Sequence, residues 1–99
     1  MSQKPLTVVA TIKAKPGKEA ELRKVLQSLL APTRKEAGCL NYDMHTSLDD
    51  PRLFIFHENW TSKAHLDVHL KSPHIQAFIT KAPELLAEPV QIMLCEKVG

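Results

Sequence analysis

CLNYDMHTSLDDPRLFIFHENW, residues 39–60, is the stretch that decides the fold. Apolar and polar side chains alternate over residues 39–46, which predicts a β-strand. Residues 48–51, LDDP, have the composition of a turn, and residues 53–60 form a second strand-like run. Two strands joined by a short Asp/Pro loop predict an antiparallel hairpin. On the first strand, one predicted face carries Leu40, Tyr42 and Met44.

The second strand of this hairpin is apolar on both faces. Leu53 and Ile55 fall on one side, and Phe54 and Phe56 fall on the other. A strand with one face in water alternates apolar with polar side chains, so this strand predicts cover on both faces. Helices of the same chain can cover one face. We expect a second subunit to cover the other, in a homodimer joined sheet to sheet.

Outward from the hairpin, two further runs predict strands. Residues 6–14 alternate and are rich in β-branched side chains, and residues 90–95 alternate again. Between the first strand and the hairpin, apolar residues recur every three or four positions, which is typical of an amphipathic helix. This helix is predicted to begin near Lys18, to kink at Pro32 and to end at Gly38, a residue suited to a left-handed helix end.

After the hairpin, two capped helices are predicted. The Thr-Ser pair at residues 61–62 offers an N-cap for a helix over residues 63–71. At residues 72–73, Ser acts as a cap and Pro occupies the first position of the next helix, which Pro83 is expected to disturb. The side chains of this second helix that are predicted to point inward are Ile75, Phe78, Ile79 and Ala82.

The order strand, helix, strand, strand, helix pair, strand predicts an α+β fold. Such units form a ferredoxin-like sandwich, a four-stranded antiparallel sheet with helices on one face. The 99 residues are predicted to make a single domain, residues 1–99.

Composition excludes several classes of function. The formal net charge is only +2, and the basic residues are scattered, so nucleic acid is not expected as a partner. The apolar run near the N-terminus is too short for a secretory signal or a membrane span, so we expect a cytoplasmic protein without membrane contact. Cys39 and Cys95 have no closely spaced partner, and both thiols are expected to be buried and reduced.

Three histidines between residues 65 and 74 raise the question of a metal site. His65 and His69 are four residues apart on a predicted helix, and His74 is close by. The zinc protease helix needs a glutamate where this chain has Leu66. Asp67 lies elsewhere on the helix, and no other carboxylate evidently completes a ligand set. We therefore predict no metal.

His74 lies in the first turn of the helix that begins at residue 73, where the helix dipole disfavours the imidazolium ion. A neutral imidazole can accept a proton near neutral pH. The alternative is that His74 only helps to cap the helix at the surface.

Glu58 and Trp60 share the strand face of Phe54 and Phe56. A carboxylate in an aromatic row is exposed at the strand end, paired, or raised in pKa and functional. Trp60 either packs in the core or also forms the wall of an apolar pocket.

Residues 38–60, GCLNYDMHTSLDDPRLFIFHENW, and residues 69–78, HLKSPHIQAF, resemble the antibiotic biosynthesis monooxygenase (ABM) family, especially its quinol monooxygenases. The similarity covers almost the whole chain. The resemblance implies a dimeric ferredoxin-like α/β barrel. It also implies an oxygenase that uses no cofactor, whether flavin, metal or haem, and that oxidises a phenol or hydroquinone directly with dioxygen. The specific features are Gly38-Cys39, the Asp-Pro loop, Glu58-x-Trp60 and His69-Leu70-x-Ser72-Pro73-His74.

This chemistry requires an apolar chamber for the aromatic ring, a base to form the phenolate and polar groups that stabilise charge. The resemblance implies His74, followed by His69, as catalytic base and polar contact. Asn59 and Trp60 alternate to opposite sheet faces, so both line one pocket only if the strand twists or bulges. The side chains implied for substrate binding are Trp60, Phe56 and Phe78, with Tyr42, Asn59, His45 and Glu58.

Other functions stay open. The haem-degrading branch of the superfamily is disfavoured because strand one has no Asn and His69 stands where that branch has Trp. An isomerase or lyase of the autoinducer-2-processing type shares the pattern of His69, Pro73 and His74, yet only Lys71 and Lys63 are near to hold a phosphate. A third possibility is a non-catalytic dimer that binds a small hydrophobic metabolite.

Overall fold

A computed structural model describes residues 4–99, so the first three residues of the predicted domain lie outside the described residues. Its strands form one antiparallel sheet in the order β2-β3-β1-β4, which is the ferredoxin-like topology. The predicted fold class is confirmed. The elements in chain order are β1 (Leu6–Lys13), α1 (Glu19–Gln27), α2 (Leu30–Arg34), β2 (Cys39–Thr46), β3 (Leu53–Trp60), α3 (Lys63–Leu70), α4 (Pro73–Leu85) and β4 (Gln91–Cys95).

The core lies between one face of the sheet and the helices. Strand alternation sends every second side chain of β1 and β3 to this face, where the two strands pair antiparallel. The helices contribute apolar stripes to the same layer, as their spacing predicts. The largest buried side chains of the core are Trp60, Phe54, Phe56, Leu22, Leu26 and Leu85.

On the opposite face of the sheet, no helix from residues 4–99 forms a covering layer. Leu53 and Ile55 are only partly buried there, and Met93 of the edge strand β4 is exposed. In a single chain, the helices therefore cover one face of β3, and the other face is only partly buried. The predicted homodimer stays a prediction.

A β-bulge in β2 changes the predicted face of Leu40. The register shifts between Cys39 and Asn41, with Cys39 opposite Trp60. The bulge leaves Leu40 as the extra residue, 54% exposed, and turns Cys39 towards the core. The prediction that Leu40 shares the face of Tyr42 is therefore wrong.

The helix predicted from Lys18 to Gly38 is two helices, and it breaks earlier than expected. α1 ends at Gln27 and α2 begins at Leu30, one turn before the predicted kink at Pro32. Pro32 crowds the carbonyl four residues before it, so the break falls at that position. The predicted left-handed helix end is confirmed, since Gly38 has a φ of 83°.

The two later helices also depart in detail from the prediction. α4 continues two residues beyond Pro83, to Leu85, since a proline near the last turn removes little helical hydrogen bonding. Ile75 and Phe78 are buried as predicted, but Ile79 is 51% exposed, and its predicted inward position is wrong. Ile79 lies at the edge of the buried stripe. Ser62 caps α3 as predicted, by accepting a hydrogen bond from the backbone N–H of His65.

Within residues 4–99, no helix has the length and apolar character needed to cross a membrane. Both cysteines are free and partly exposed, so their predicted burial is only partial.

Candidate active site

The break between α3 and α4 brings two histidines to one carboxylate. His69 lies near the end of α3, His74 in the first turn of α4, and Glu36 in the turn that leads into β2. Oε2 of Glu36 lies 2.7 Å from Nδ1 of His69 and 3.0 Å from Nε2 of His74. An ionised carboxylate only accepts hydrogen bonds, so each of these imidazole nitrogens donates its N–H to Glu36.

His69 is held in one tautomer by this contact. Because Nδ1 carries the proton, Nε2 of the neutral ring has a free lone pair. Burial lowers the pKa of His69 below its ordinary value, and the Glu36 carboxylate opposes that shift. His69 is therefore neutral near pH 7, and within the described part of the chain nothing hydrogen-bonds its Nε2.

Two aromatic rings enclose the His69 imidazole, which is only 3% exposed. The Trp60 ring lies with its centroid 4.7 Å from that of His69, and the Tyr42 ring makes an edge contact at 5.4 Å. These contacts fix the ring plane together with the Glu36 hydrogen bond. The result is a rigid, oriented imidazole.

His69 opens onto a cavity of about 150 Å³ between the sheet and the helices. Its polar lining groups are Tyr42, Glu58 and His69, and the rest of the lining is aliphatic or aromatic. Ile79 and Ile92, 51% and 49% exposed, lie where the cavity meets solvent. Among residues 4–99, the lining includes no lysine or arginine. Such a cavity suits an apolar ring with few polar groups.

Glu58 projects from β3 into this cavity and is 5% exposed. Its Oε1 accepts a hydrogen bond of 2.9 Å from Nε1 of Trp60. Burial raises the pKa of the Glu58 carboxyl to about 7, against the lowering effect of the Trp60 hydrogen bond. The sequence left open whether Glu58 is exposed, paired or raised in pKa. In the structure it is paired with Trp60, and its pKa is raised. Burial likewise raises the pKa of Tyr42, which stays a neutral phenol.

His74 lies behind Glu36 rather than at the cavity. Its Nε2 is also 3.0 Å from Oγ1 of Thr33 and 3.4 Å from Oγ of Ser72, and its ring faces a surface groove. Ser72 is the N-cap residue of α4, as predicted, but its side chain caps no backbone N–H, because its hydroxyl donates instead to the carbonyl of His69, at 2.6 Å. His74 thus contacts the same Glu36 oxygen as His69 but is not part of the cavity lining.

A family model described as "Antibiotic biosynthesis monooxygenase" matches residues 5–81. The chain belongs to the ABM family. The membership inferred from residues 38–60 and 69–78 is confirmed.

Individual relatives agree with the family assignment. The crystal structure of PA3566 from Pseudomonas aeruginosa superposes with a TM-score of 0.94, at 37% identity, over 100% of this chain and 99% of that one. "Putative monooxygenase Rv0793" of Mycobacterium tuberculosis is 36% identical, over 89% of this chain and 86% of its own length. "Probable quinol monooxygenase YgiN" of Escherichia coli is 34% identical, over 74% and 80%.

One relative is longer than this chain. "Uncharacterized protein sll1783" of Synechocystis is 36% identical over 90 residues, and the chain spans 61% of its length.

The structure brings together part of the ABM site predicted from sequence. Tyr42, Phe56, Glu58, His69 and Phe78 line the cavity. Trp60 stacks against His69 from the core and is not part of the lining.

Two predicted substrate contacts lie on the other face of the sheet. Asn59 accepts a hydrogen bond of 2.6 Å from Thr7 and donates one of 2.7 Å to Asn41. His45 is exposed at the far end of β2, opposite Ile55. The bulge in β2 precedes Asn41 and does not turn Asn59 towards Trp60.

Sequence reasoning missed Glu36 and Thr33. Glu36 is 33 residues from His69 and 38 from His74, so no local spacing links them. The only available signal was that Glu36 precedes the predicted helix end at Gly38.

The same cluster could hold a metal ion. Ligand atoms of Glu36, His69 and His74 lie within 4.8 Å of one another. The view that no carboxylate completes a ligand set is therefore wrong, since two histidines and one glutamate are a known zinc ligand set. His65 is not part of it, because its Nδ1 contacts the hydroxyls of Thr61 and Ser62.

Proposed function

We propose that this ABM protein is a monooxygenase that oxidises a phenolic or quinol-like aromatic with dioxygen and without a cofactor. The observation that carries the proposal is the His69 imidazole, which is held by Glu36 through Nδ1 and lines an apolar cavity. The relatives named as monooxygenases support the reaction class.

His69 is the catalytic base in this proposal. A substrate hydroxyl donates its proton to Nε2, and the Glu36 carboxylate stabilises the imidazolium that forms. The phenolate gives up electrons more readily than the phenol, so deprotonation starts the reaction with dioxygen. His74 acts through Glu36 and is a positioning residue. This reverses the order of the two histidines that the resemblance implied.

With a hydroquinone as substrate, hydroquinone and dioxygen give a hydroxyquinone and water, and this equation is balanced. One oxygen atom of dioxygen forms a new bond to a ring carbon, and the other leaves as water. The substrate loses four electrons, which reduce both oxygen atoms. No external reductant is required.

The cavity volume limits the size of the ring. An engineered cavity of about 150 Å³ in another protein accommodates benzene, and the cavity next to His69 also measures about 150 Å³. We therefore propose a single-ring quinol, with the half-exposed Ile79 and Ile92 at the entrance.

Oxygen uptake tests this function. Protein treated with EDTA is incubated with hydroquinone, methylhydroquinone and a reduced naphthoquinone, and uptake is compared with the spontaneous rate. Because no metal takes part, the chelator is expected to leave the rate unchanged. A His69→Gln variant loses the base and should be slower by about 100-fold or more. His65→Gln, on the same helix but outside the cavity, is the matched control. Wild-type uptake no faster than background with every quinol contradicts the proposal.

A second candidate is an isomerase or lyase that works by proton transfer. It is favoured by the presence of two titratable groups, His69 and Glu58, in one cavity. The absence of lysine and arginine from the described lining makes a phosphorylated substrate less suitable. Product formation without oxygen would support this candidate. Saturable binding of the quinol without any turnover would instead support a non-catalytic binding protein.

We also propose that the protein is a homodimer joined through the open sheet face. Leu53 and Ile55 lie half-buried on that face, and Met93 is exposed beside them. Sedimentation at micromolar concentration tests the assembly. A monomer under those conditions would leave the doubly apolar β3 without an explanation.

A further inference from the structure

Glu58 has one carboxylate oxygen that the protein does not use. Oε1 accepts the hydrogen bond from Trp60, whereas Oε2 has no hydrogen-bond partner among the described residues. The side chain is 5% exposed and forms part of the cavity lining. Unlike the oxygen of Glu19 that is buried without a partner, Oε2 of Glu58 is not fully enclosed by the protein, so a ligand in the cavity can reach it. The free oxygen therefore marks a position for a polar atom of the substrate or of dioxygen.

The surroundings of Glu58 favour its protonated form. Tyr42 lies opposite Glu58 on the neighbouring strand β2 and lines the same cavity. His69 lines this cavity from α3. The negative charge of Glu36 also disfavours ionisation of Glu58. The hydrogen bond from Trp60 is the one contact that favours the carboxylate. With a pKa of about 7, raised mainly by burial, a large fraction of Glu58 carries a proton at neutral pH.

We propose that Glu58 is the general acid of the oxygenation, which donates its proton to the oxygen atom that leaves as water. The inference rests on the proposed function and assigns the step that follows attack of dioxygen. A neutral carboxylic acid in an apolar site can donate a proton that the aromatic and aliphatic walls cannot supply.

The proton balance requires such a donor. The quinol hydroxyl gives its proton to His69, and dioxygen bonds to a ring carbon to form a peroxide. Protonated His69 returns its proton to that peroxide. The ring C–H proton is then lost to solvent as the O–O bond breaks, and the departing oxygen takes the Glu58 proton and leaves as water. Solvent reprotonates Glu58, so two protons are released and two are consumed.

Without this acid, a different product is expected. The peroxide then leaves intact, and the quinol and dioxygen give quinone and hydrogen peroxide. This reaction balances with two electrons and two protons transferred. Hydrogen peroxide released per dioxygen consumed therefore reports the action of Glu58, separately from the rate of the first step.

Glu58→Gln tests the assignment. The glutamine oxygen can still accept the Trp60 hydrogen bond, but the amide does not act as an acid. General acids contribute about 100-fold or more to a step, so we expect the ratio of hydrogen peroxide to hydroxyquinone to rise at least tenfold with hydroquinone as substrate. The matched control is Glu84→Gln, which changes an exposed carboxylate near the end of α4. The control ratio should equal that of the wild type.

The pH dependence of the wild type gives a second measurement that needs no variant. Hydrogen peroxide per dioxygen should rise as the pH passes about 7, where Glu58 ionises. In Glu58→Gln the ratio should stay high and flat. Oxygen consumption with an unchanged product ratio in the variant and a flat wild-type profile overturns the acid role alone. No wild-type consumption with any quinol overturns the proposed function, and the acid role with it.

Discussion

Replacing Glu36 by Gln removes the charge that stabilises protonated His69. Glutamine keeps an oxygen that can accept the Nδ1 proton, so the ring can remain in place. The hydrogen bond, however, changes from charge-assisted to neutral. Glu36 is mostly buried and His69 is 3% exposed, so solvent screens their interaction weakly. Hydrogen bonds to charged groups contribute about 1.5–3 kcal/mol, and about 1.4 kcal/mol corresponds to a factor of ten. We expect kcat to fall by about 10- to 100-fold.

The pH profile separates this effect from simple loss of structure. The neutral imidazole is the active form, so activity falls as the pH drops through the pKa of His69. Glu36 raises that pKa against the effect of burial. In Glu36→Gln the pKa of His69 should be lower still. The acidic limb of the kcat/KM profile should therefore move to lower pH, while the maximal kcat/KM falls.

Oxygen uptake with hydroquinone, measured across the acidic range, provides both readouts. Glu84→Gln serves again as the exposed-carboxylate control, and thermal unfolding verifies that Glu36→Gln is folded. A folded variant with unchanged kcat would refute the role of Glu36. A limb that moves to higher pH would refute the stated electrostatic relation between Glu36 and His69.

Three further predictions concern other parts of the structure. His74→Gln should lower kcat by about tenfold or less, well below the loss in His69→Gln, because His74 reaches the substrate only through Glu36; steady-state kinetics with hydroquinone give the ranking. Gly38→Ala should destabilise the protein more than Gly17→Ala in urea unfolding. Both have positive φ, which alone costs about 1–2 kcal/mol, but only at Gly38 would the new Cβ clash with a neighbouring imidazole. Burial raises the pKa of Glu58 from 4.5 to about 7, so the folded state holds a proton that the unfolded state loses between these pH values. Stability relative to Glu58→Gln should therefore fall by about 3 kcal/mol as the pH rises through this window, and equal pH slopes in urea unfolding would contradict the raised pKa.

Much of the fold follows from local patterns. Strand alternation predicts which side chains of β1 and β3 face the helices, and the left-handed conformation of Gly38 follows from its place after a helix. The misplaced residues depend on contacts that alternation does not encode. A single bulge reverses the direction of Leu40, and Ile79 is exposed because it lies at the edge of the stripe, where the cavity opens.

The candidate site is harder to predict from sequence than the fold, because its central contact joins residues that are far apart in the chain. His69 and His74 attract attention through their motif, but their roles depend on Glu36, which lies on another element. The helix dipole made His74 a candidate for a neutral base, and the resemblance placed it ahead of His69. The structure buries His69 at the cavity and leaves His74 outside it, so packing rather than position in the helix separates the two.

Burial at the cavity shifts the pKa values of an acid, Glu58, and a base, His69, in opposite directions. Burial disfavours any charged form, so it raises the pKa of the Glu58 carboxyl and lowers that of the His69 imidazole. Near pH 7 the base is therefore free to accept a proton, while a large fraction of the acid still holds one. An apolar ring and dioxygen can then enter without desolvating two ions, and charge appears only when the substrate proton moves to His69. Water in the cavity would return both groups towards their ordinary pKa values, with Glu58 ionised and His69 more often protonated. Exclusion of water by the aromatic and aliphatic walls is thus part of the acid–base chemistry itself.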